Sequence, residues 1–443
     1  MQRLAQIFLT LSVLFAVWGT SGTRPVSGSI MLFLAGLAFI FSIIDWAKDK
    51  RLGFGDLAKN PFLIGGAILV IMGIIQVLNP HTLAYDADGY MHARPLNHIA
   101  WLPSGILADA EVYGSAKAVA ELISAYFFAS ALWLNARSRK FCEFILKFFA
   151  LNIALMAVFA IIQQKLNAQA AYFTFASDSH FFGPYYYRNA AAAAIFMGIC
   201  AAFASAALDF SPKKPRGKIF AALWILIAAP GIFAILKTPS VGAKASCALF
   251  FALLALFIAF SFLKAKFGKA KALIATSILI FISIFAAFFA ANAYYQKLPP
   301  TKKASVLGRA ELLPVSKEVF FKAPILGSGA DSYGYEAAKV EAKKSFGRRF
   351  ANSAHCSIIS YACEYGAAGL CAIFAVFCVW IKRLARRRKF LASANIICLT
   401  GLSASALHSL FDIFLQIPSA MFFFALLMTL SASIFPGEAE NGL

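Results

Sequence analysis

The chain has 443 residues, 61% of them hydrophobic, with 41 Lys and Arg against 20 Asp and Glu and a formal net charge of +21. A soluble domain would carry roughly 45–50% apolar residues, so a water-soluble globular fold is excluded and an all-α polytopic membrane protein is expected. The basic residues lie in short runs between apolar stretches, as membrane topology requires, so the charge does not imply nucleic-acid binding.

Twelve apolar stretches follow in chain order, near residues 4–20, 29–45, 61–78, 114–135, 141–163, 188–208, 219–236, 240–263, 271–291, 354–381, 393–411 and 413–435. About 20 apolar residues cross the ~30 Å hydrocarbon core, and most of these stretches qualify. Arg3 before an apolar run, with Gly19-Thr20-Ser21-Gly22 behind it, has the form of a signal peptide. The run exceeds an ordinary signal core, so a retained helix is expected. With the N-terminus inside, the inner segments hold 23 basic residues and the short outer loops and helix ends hold seven. That split predicts twelve spans with both termini cytoplasmic. The last two spans, almost abutting, predict a tight outer hairpin.

Three outer segments exceed a simple turn. Residues 79–113 carry His81, Asp86, Asp88, His92, Arg94, His98 and Asp109 at spacings that match no standard metal site. Residues 164–187 carry two aromatic runs, the second ending Gly183-Pro184-Tyr185-Tyr186-Tyr187 before Arg188 and Asn189. The long outer loop, 292–353, separates residues 1–291 (spans 1–9) from 354–435 (spans 10–12). Within it, residues 302–322 show helical spacing interrupted by Pro314, 324–329 read as a glycine turn, and 335–347 favour helix. Eleven basic residues against five acidic ones, counted up to His355, point to an anionic partner.

The eight cysteines contain no C-x-x-C pair. Cys356, Cys363, Cys371 and Cys378 step by seven or eight, which predicts a packing stripe on one helix face and neither a disulfide framework nor a metal site. No glycine-rich nucleotide loop or Asp-x-Asp motif is present. No repeat relates the two halves, which weighs against a transporter.

Residues 308–370 carry a specific pattern. Gly308-Arg309 is followed by Pro324-Ile325-Leu326-Gly327-Ser328-Gly329. Then come His355 at a helix start and Glu364-Tyr365-Gly366-Ala367-Ala368-Gly369-Leu370. Order and spacing resemble the signature region of the O-antigen ligase and polymerase superfamily. Gly183 and Asn189 are similar to that family's Gly and second Asn of Asn-x-Asn, with Tyr187 in place of the first. Two positions depart from the family. Ser240-Val241 stands where it has Ser-Arg, and Cys356 stands where Asn commonly follows the histidine. Lys237 and Lys244, at helical offsets of −4 and +3 from Val241, are expected to supply the lost charge from one face.

The resemblance implies transfer of a glycan from a polyprenyl diphosphate carrier to an acceptor hydroxyl, on the outer face of a bacterial plasma membrane. It implies no cofactor, no metal and no nucleic acid. The acceptor could be lipid, glycan or protein, so ligation, repeat-unit polymerisation and protein glycosylation stay open. His355 is the expected base or orienting acceptor and Arg309 the expected catalytic arginine. Arg188 and Asn189, with Lys237, Lys244, Arg348 and Arg349, are expected to hold the diphosphate through charge-assisted hydrogen bonds. Glu364, and His408 with Asp412 four residues on, are expected as support, the last two sharing a helix face. The rival readings are a multi-span transporter or flippase, which would place ionisable groups near span midpoints, and an inactive scaffold of the same fold.

Overall fold

The computed structural model describes residues 1–49, 57–87, 90–108, 114–173, 175–176, 181–296, 300–342, 353–387 and 393–433. Fourteen α-helices account for most of these residues. They are α1 (Gln2–Trp18), α2 (Pro25–Lys48), α3 (Pro61–Leu78), α4 (Ser115–Asn135), α5 (Arg139–Lys165), α6 (Arg188–Asp209) and α7 (Pro215–Lys237). There follow α8 (Val241–Phe267), α9 (Lys269–Gln296), α10 (Pro300–Lys322), α11 (Tyr333–Ala342), α12 (Ser357–Arg387), α13 (Ser393–His408) and α14 (Pro418–Ala432). Helices α2 to α8 and α12 are each long and apolar enough to cross a bilayer, and α1 and α14 are apolar but shorter. The molecule is a mostly helical, membrane-embedded protein.

Helix α6 is the axis of the bundle. Its sequence opens Arg188-Asn189-Ala190-Ala191-Ala192-Ala193-Ala194, and it is buried along almost its whole length. Small side chains let neighbouring backbones approach closely, which supplies packing where lipid gives no hydrophobic drive. It accordingly contacts α5, α7 and α13. Helix α14 is buried throughout and brings aromatic weight instead. Phe422 stacks on Phe128 at 4.2 Å, and Phe423 meets Phe149 at 4.7 Å. By contrast α7, α8 and α9 present large apolar side chains outward, Leu226, Phe233, Ile258, Phe262 and Ile274 among them. At one end of the bundle Asp209 binds Lys147 Nζ at 2.5 Å and Trp224 Nε1 at 2.8 Å, pinning α5, α6 and α7 together. Asn395 donates to the Leu430 and Ser433 carbonyls there, tying α13 to α14.

The other end carries the long connections, and part of it is not helical. Residues 80–108 form a sheet of order β2-β1-β3 from β1 (Pro80–Ala87), β2 (Tyr90–Pro95) and β3 (Gly105–Ala108). β1 runs antiparallel to β2 and parallel to β3. Asn79 anchors the sheet to α3 by accepting from the Ile99 amide at 2.8 Å and donating to the Ile99 and Pro103 carbonyls. A second, two-stranded sheet pairs Ala170–Ala171 with Phe175–Ala176. Both sheets are exceptions to the all-α expectation.

Helices α10 and α11 form a hairpin that lies on α12. Pro314, expected to interrupt α10, sits inside one continuous helix. Val315, Val319, Tyr333, Ala337, Val340, Ala354 and Cys363 close a small core beneath the hairpin, and Ser316 Oγ meets the Tyr333 hydroxyl at 2.8 Å. Full burial of an aliphatic side chain of this size is worth on the order of 1.5–3 kcal/mol, so the hairpin has a hydrophobic floor of its own.

Three expectations based on helical counting fail, each at a break in a helix. Lys237 ends α7 and Lys244 belongs to α8, because Pro239 and the Ser240 N-cap, which accepts from the Ala243 amide, start a new helix between them. The two lysines therefore do not share a face. The cysteine series is cut by Gly366, whose backbone is non-helical, and Cys356 and Cys363 are buried while Cys371 and Cys378 are exposed. Helix α13 stops at His408, and nine residues with a 3-10 turn at Phe414–Gln416 precede α14, so the hairpin is looser than expected and His408 and Asp412 share no helix face.

Candidate functional site

The Pro-x-x-Gly-x-Gly and Glu-x-Gly motifs turn out to be two halves of one clamp. Residues 324–329 form a turn that lies against the interior of α12 around Gly366 and hydrogen-bonds to its backbone. Ala367 N donates to Pro324 O at 2.8 Å and Ala368 N to Ile325 O at 3.0 Å. Ser328 N donates to Cys363 O at 2.9 Å and Gly329 N to Glu364 O at 3.0 Å. An α-helix has no spare amides in its middle, so the pairing needs a break. Gly366 provides it with φ 62° and ψ −165°, a region open essentially to glycine. Gly327 faces it at φ 75°, with the Glu364 carbonyl so close that no Cβ fits. Gln76, fully buried on α3, donates to Glu364 O at 3.0 Å and accepts from Ala330 N at 3.0 Å. Gln416 Nε2 donates to the Glu364 carboxyl group at 3.4 Å. It is the Glu364 backbone carbonyl, bonded by Gly329 N and Gln76 Nε2, that holds the loop.

The clamp sets the position of the residues just before α12 and thereby builds a polar centre. Ser357 ties the head of α12 to the turn after α13, its amide reaching Ser409 O at 2.9 Å and Asp412 O at 3.1 Å. The Asp412 carboxylate accepts from the Tyr187 hydroxyl at 2.9 Å, from Asn189 Nδ2 at 2.6 Å and from the Ile413 amide at 2.8 Å. Asn189 also donates to the Tyr187 hydroxyl at 3.0 Å. Burial raises the Asp412 carboxyl above the ordinary carboxylate range, against the donors that hold its anion. Burial and the Asp412 charge push the Tyr187 hydroxyl up, so it stays protonated and donates.

Arg309, on α10, reaches over this network and donates through Nη1 to the Phe411 carbonyl at 2.7 Å. Its guanidinium acts electrostatically on Tyr187, His355, His408 and Asp412. His355 sits half-buried with a positive φ of 49°, and its Nδ1 is buried without a hydrogen-bond partner. Burial first, and Arg309 second, lower its pKa below 6.5, so the ring is neutral near pH 7. His408 is 4% exposed against Phe414, with centroids 4.8 Å apart, and its Nδ1 also has no partner. Gly242 on α8 leaves the space that its imidazole fills. Two unpartnered imidazoles, a guanidinium with spare donors and a bound carboxylate thus converge at one spot. Buried polar atoms are normally satisfied, so such an arrangement is a place for a ligand.

Among the expected site residues, the structure brings together Arg309, His355, Asn189, Asp412 and His408. Arg188 opens α6 beside Asn189, and no hydrogen bond or ion pair engages it among the described residues. Lys237 is exposed, 5.4 Å from the Phe233 ring centroid, and Lys244 is half-buried on α8. No hydrogen bond or ion pair joins either to the centre among the described residues. Arg348 and Arg349 lie outside the described residues. Tyr187, Ser357 and Gly242 were not anticipated. Tyr187 had a signal: it occupies the first position of an Asn-x-Asn-like triplet, where a second hydrogen-bonding side chain is expected. Neither the protein-family models nor the curated proteins give any match to this chain.

Proposed function

We propose that the chain is a twelve-span glycosyltransferase of the O-antigen ligase and polymerase type. Both termini are cytoplasmic and the centre around Arg309 and His355 faces outward from the plasma membrane. The observation that carries this reading is the convergence of Arg309, His355, Asp412, Tyr187 and Asn189 from four distant parts of the chain at the end holding the long connections. In the reaction an acceptor hydroxyl attacks the anomeric carbon of a polyprenyl-diphosphate-linked glycan. The carbon–oxygen bond to the diphosphate breaks, and the hydroxyl proton passes to the neutral His355 imidazole. The leaving diphosphate takes charge-assisted hydrogen bonds from Arg309 and Arg188. Asp412, fixed by Tyr187 and Asn189, balances the guanidinium. Displacement at this carbon has oxocarbenium character, as in glycosidases.

The test uses the purified protein in nanodiscs with a polyprenyl-diphosphate-linked glycan, alongside surface glycan in a complemented deletion strain. His355→Ala abolishes transfer without changing protein level. Arg309→Lys is nearly as damaging as Arg309→Ala, because the planar fork is lost, at ~2–4 kcal/mol of transition-state stabilisation on the oxyanion-hole scale. Full activity of His355→Ala would remove it from the chemistry. Reporter fusions at residues 320 and 386 should fall on opposite sides of the membrane, and finding both on one side would overturn the topology.

A further inference from the structure

A second polar concavity lies away from this centre, between the β1–β3 sheet and the α10–α11 hairpin. It has a volume of about 510 Å³ and is walled by His81, His98, Lys322, Glu336 and Lys339, with the clamped segment 324–328 as one side. Small-molecule sites span ~300–1,000 Å³. Because that segment is bound to α12, this wall is rigid.

Each wall residue has a defined hydrogen-bonding role. His81 Nδ1 lies 2.7 Å from Gly105 O, and His98 Nδ1 lies 3.3 Å from Leu96 O. A carbonyl oxygen only accepts, so each Nδ1 carries the proton, which leaves each Nε2 an acceptor while the ring is neutral. Burial, then His98, lower the pKa of His81 and favour that neutral form. The rings meet edge to face at 5.9 Å. Opposite them, Lys322 Nζ and Lys339 Nζ bind the two oxygens of Glu336 at 3.0 and 2.7 Å. Each ammonium has three protons and spends one on Glu336; Lys339 Nζ also lies 4.0 Å from the Tyr335 ring centroid, and both keep at least one donor for a ligand. Two ammonium groups on one carboxylate leave a net positive charge. Burial alone would raise the Glu336 carboxyl, but Lys339 and Lys322 outweigh it and keep it ionised. Ala100, Leu102 and Ile325 add apolar surface to the lining.

Imidazole acceptors suit hydroxyl donors, and spare ammonium protons suit an anion. An inorganic anion would use only the lysines, and a hydrocarbon none of the polar groups. We infer that this cleft binds an acidic saccharide, a hexuronate or similar carboxylate-bearing sugar unit of the glycan on which the Arg309 centre acts. The identity of that glycan rests on the proposed transferase reading, whereas the cleft chemistry does not. Lys322 lies thirteen residues beyond Arg309 on α10, about 20 Å along the helix axis. The cleft therefore grips a sugar several units from the reacting bond.

The test is direct binding, read by calorimetry on the full chain in nanodiscs, with trigalacturonate, maltotriose and inorganic phosphate as probes. Trigalacturonate should bind at least tenfold tighter than maltotriose or phosphate and weaken with added salt. Lys322→Gln with Lys339→Gln should weaken trigalacturonate tenfold or more. The triple variant that adds Glu336→Gln removes the stranded carboxylate and should show the same loss with an unchanged melting temperature. Equal binding of the acidic and neutral trisaccharides, no binding of either, or unaltered affinity in the triple variant would overturn the proposal. Binding without any glycan transfer would overturn the transferase reading alone, and transfer without binding would overturn the cleft alone.

Discussion

The clamp predicts opposite outcomes for two glycines of the same motif region. Gly366→Ala places a Cβ in a backbone region that costs an L-residue ~1–3 kcal/mol. That Cβ would lie 2.6 Å from Gly327 N and closer still to the Ile325 carbonyl oxygen, both backbone atoms that cannot swing aside. Relief requires segment 324–329 to move off α12, straining four inter-segment hydrogen bonds worth about 1 kcal/mol each. Loss of all four bonds would bring the total to about 5–7 kcal/mol, and loss of half of them to about 3–5 kcal/mol, against the ~5–15 kcal/mol stability of a typical domain. Gly308→Ala is the control. Nothing lies within 4 Å of its would-be Cβ, and alanine in a helix interior is favoured over glycine by ~0.5–1 kcal/mol. Thermal unfolding of the two purified variants in one detergent should therefore shift in opposite directions, downward by several degrees for Gly366→Ala and slightly upward for Gly308→Ala. A Gly366→Ala protein melting within a degree of wild type would refute the clamp.

Asp412→Asn leaves one acceptor oxygen for the Tyr187, Asn189 and Ile413 donors; loss of a charge-assisted bond worth ~1.5–3 kcal/mol should slow transfer by roughly 10–150-fold, and an unchanged rate in the nanodisc assay would remove Asp412 from the centre. Arg309 disfavours the His355 imidazolium, so Arg309→Gln should move the His355 titration to higher pH, toward the ordinary ~6.5. Proton NMR of labelled imidazoles would read the midpoint, and one that stays put would show that the guanidinium does not face the ring. Gly242→Ala pushes a methyl into the His408 imidazole and should cut transfer at least tenfold while Ala243→Gly, its neighbour, costs stability alone; equal transfer by both variants would make the close approach incidental.

The apolar runs carried the helices because each run is long and nearly free of charge, a signal that neighbouring structure cannot easily override. Gly308 to Leu370 carried the site because its glycines and His355 meet demands of backbone geometry that few residues can satisfy. What stayed hidden depends on where helices stop. Pro239 with Ser240, the turn after His408, and Gly366 each reset the helical phase, so offsets counted across them misplaced Lys237 with Lys244, His408 with Asp412, and the four cysteines. The small sheet at 80–108 was hidden for another reason. Its strands are short, and β1 and β3 pair across an intervening loop, a contact local patterning does not encode. Tyr187 was legible in part, as a polar substitute at a position that calls for one.

The hydrogen bond from Tyr187 to Asp412 joins residues 225 positions apart, and Arg309 and His355 fall between them in sequence. During synthesis the first half of the centre is therefore in place long before its counterpart leaves the ribosome. A nascent chain ending just before α13 holds Tyr187 and Asn189 without their carboxylate, although the clamp residues 324–329 and 363–368 and their Gln76 partner are already made. The centre is complete only once α13 and α14 pack beside α6 and Asp412 meets Asn189. On the proposed reading, a partly made protein lacks the Asp412 side of the centre and transfers no glycan.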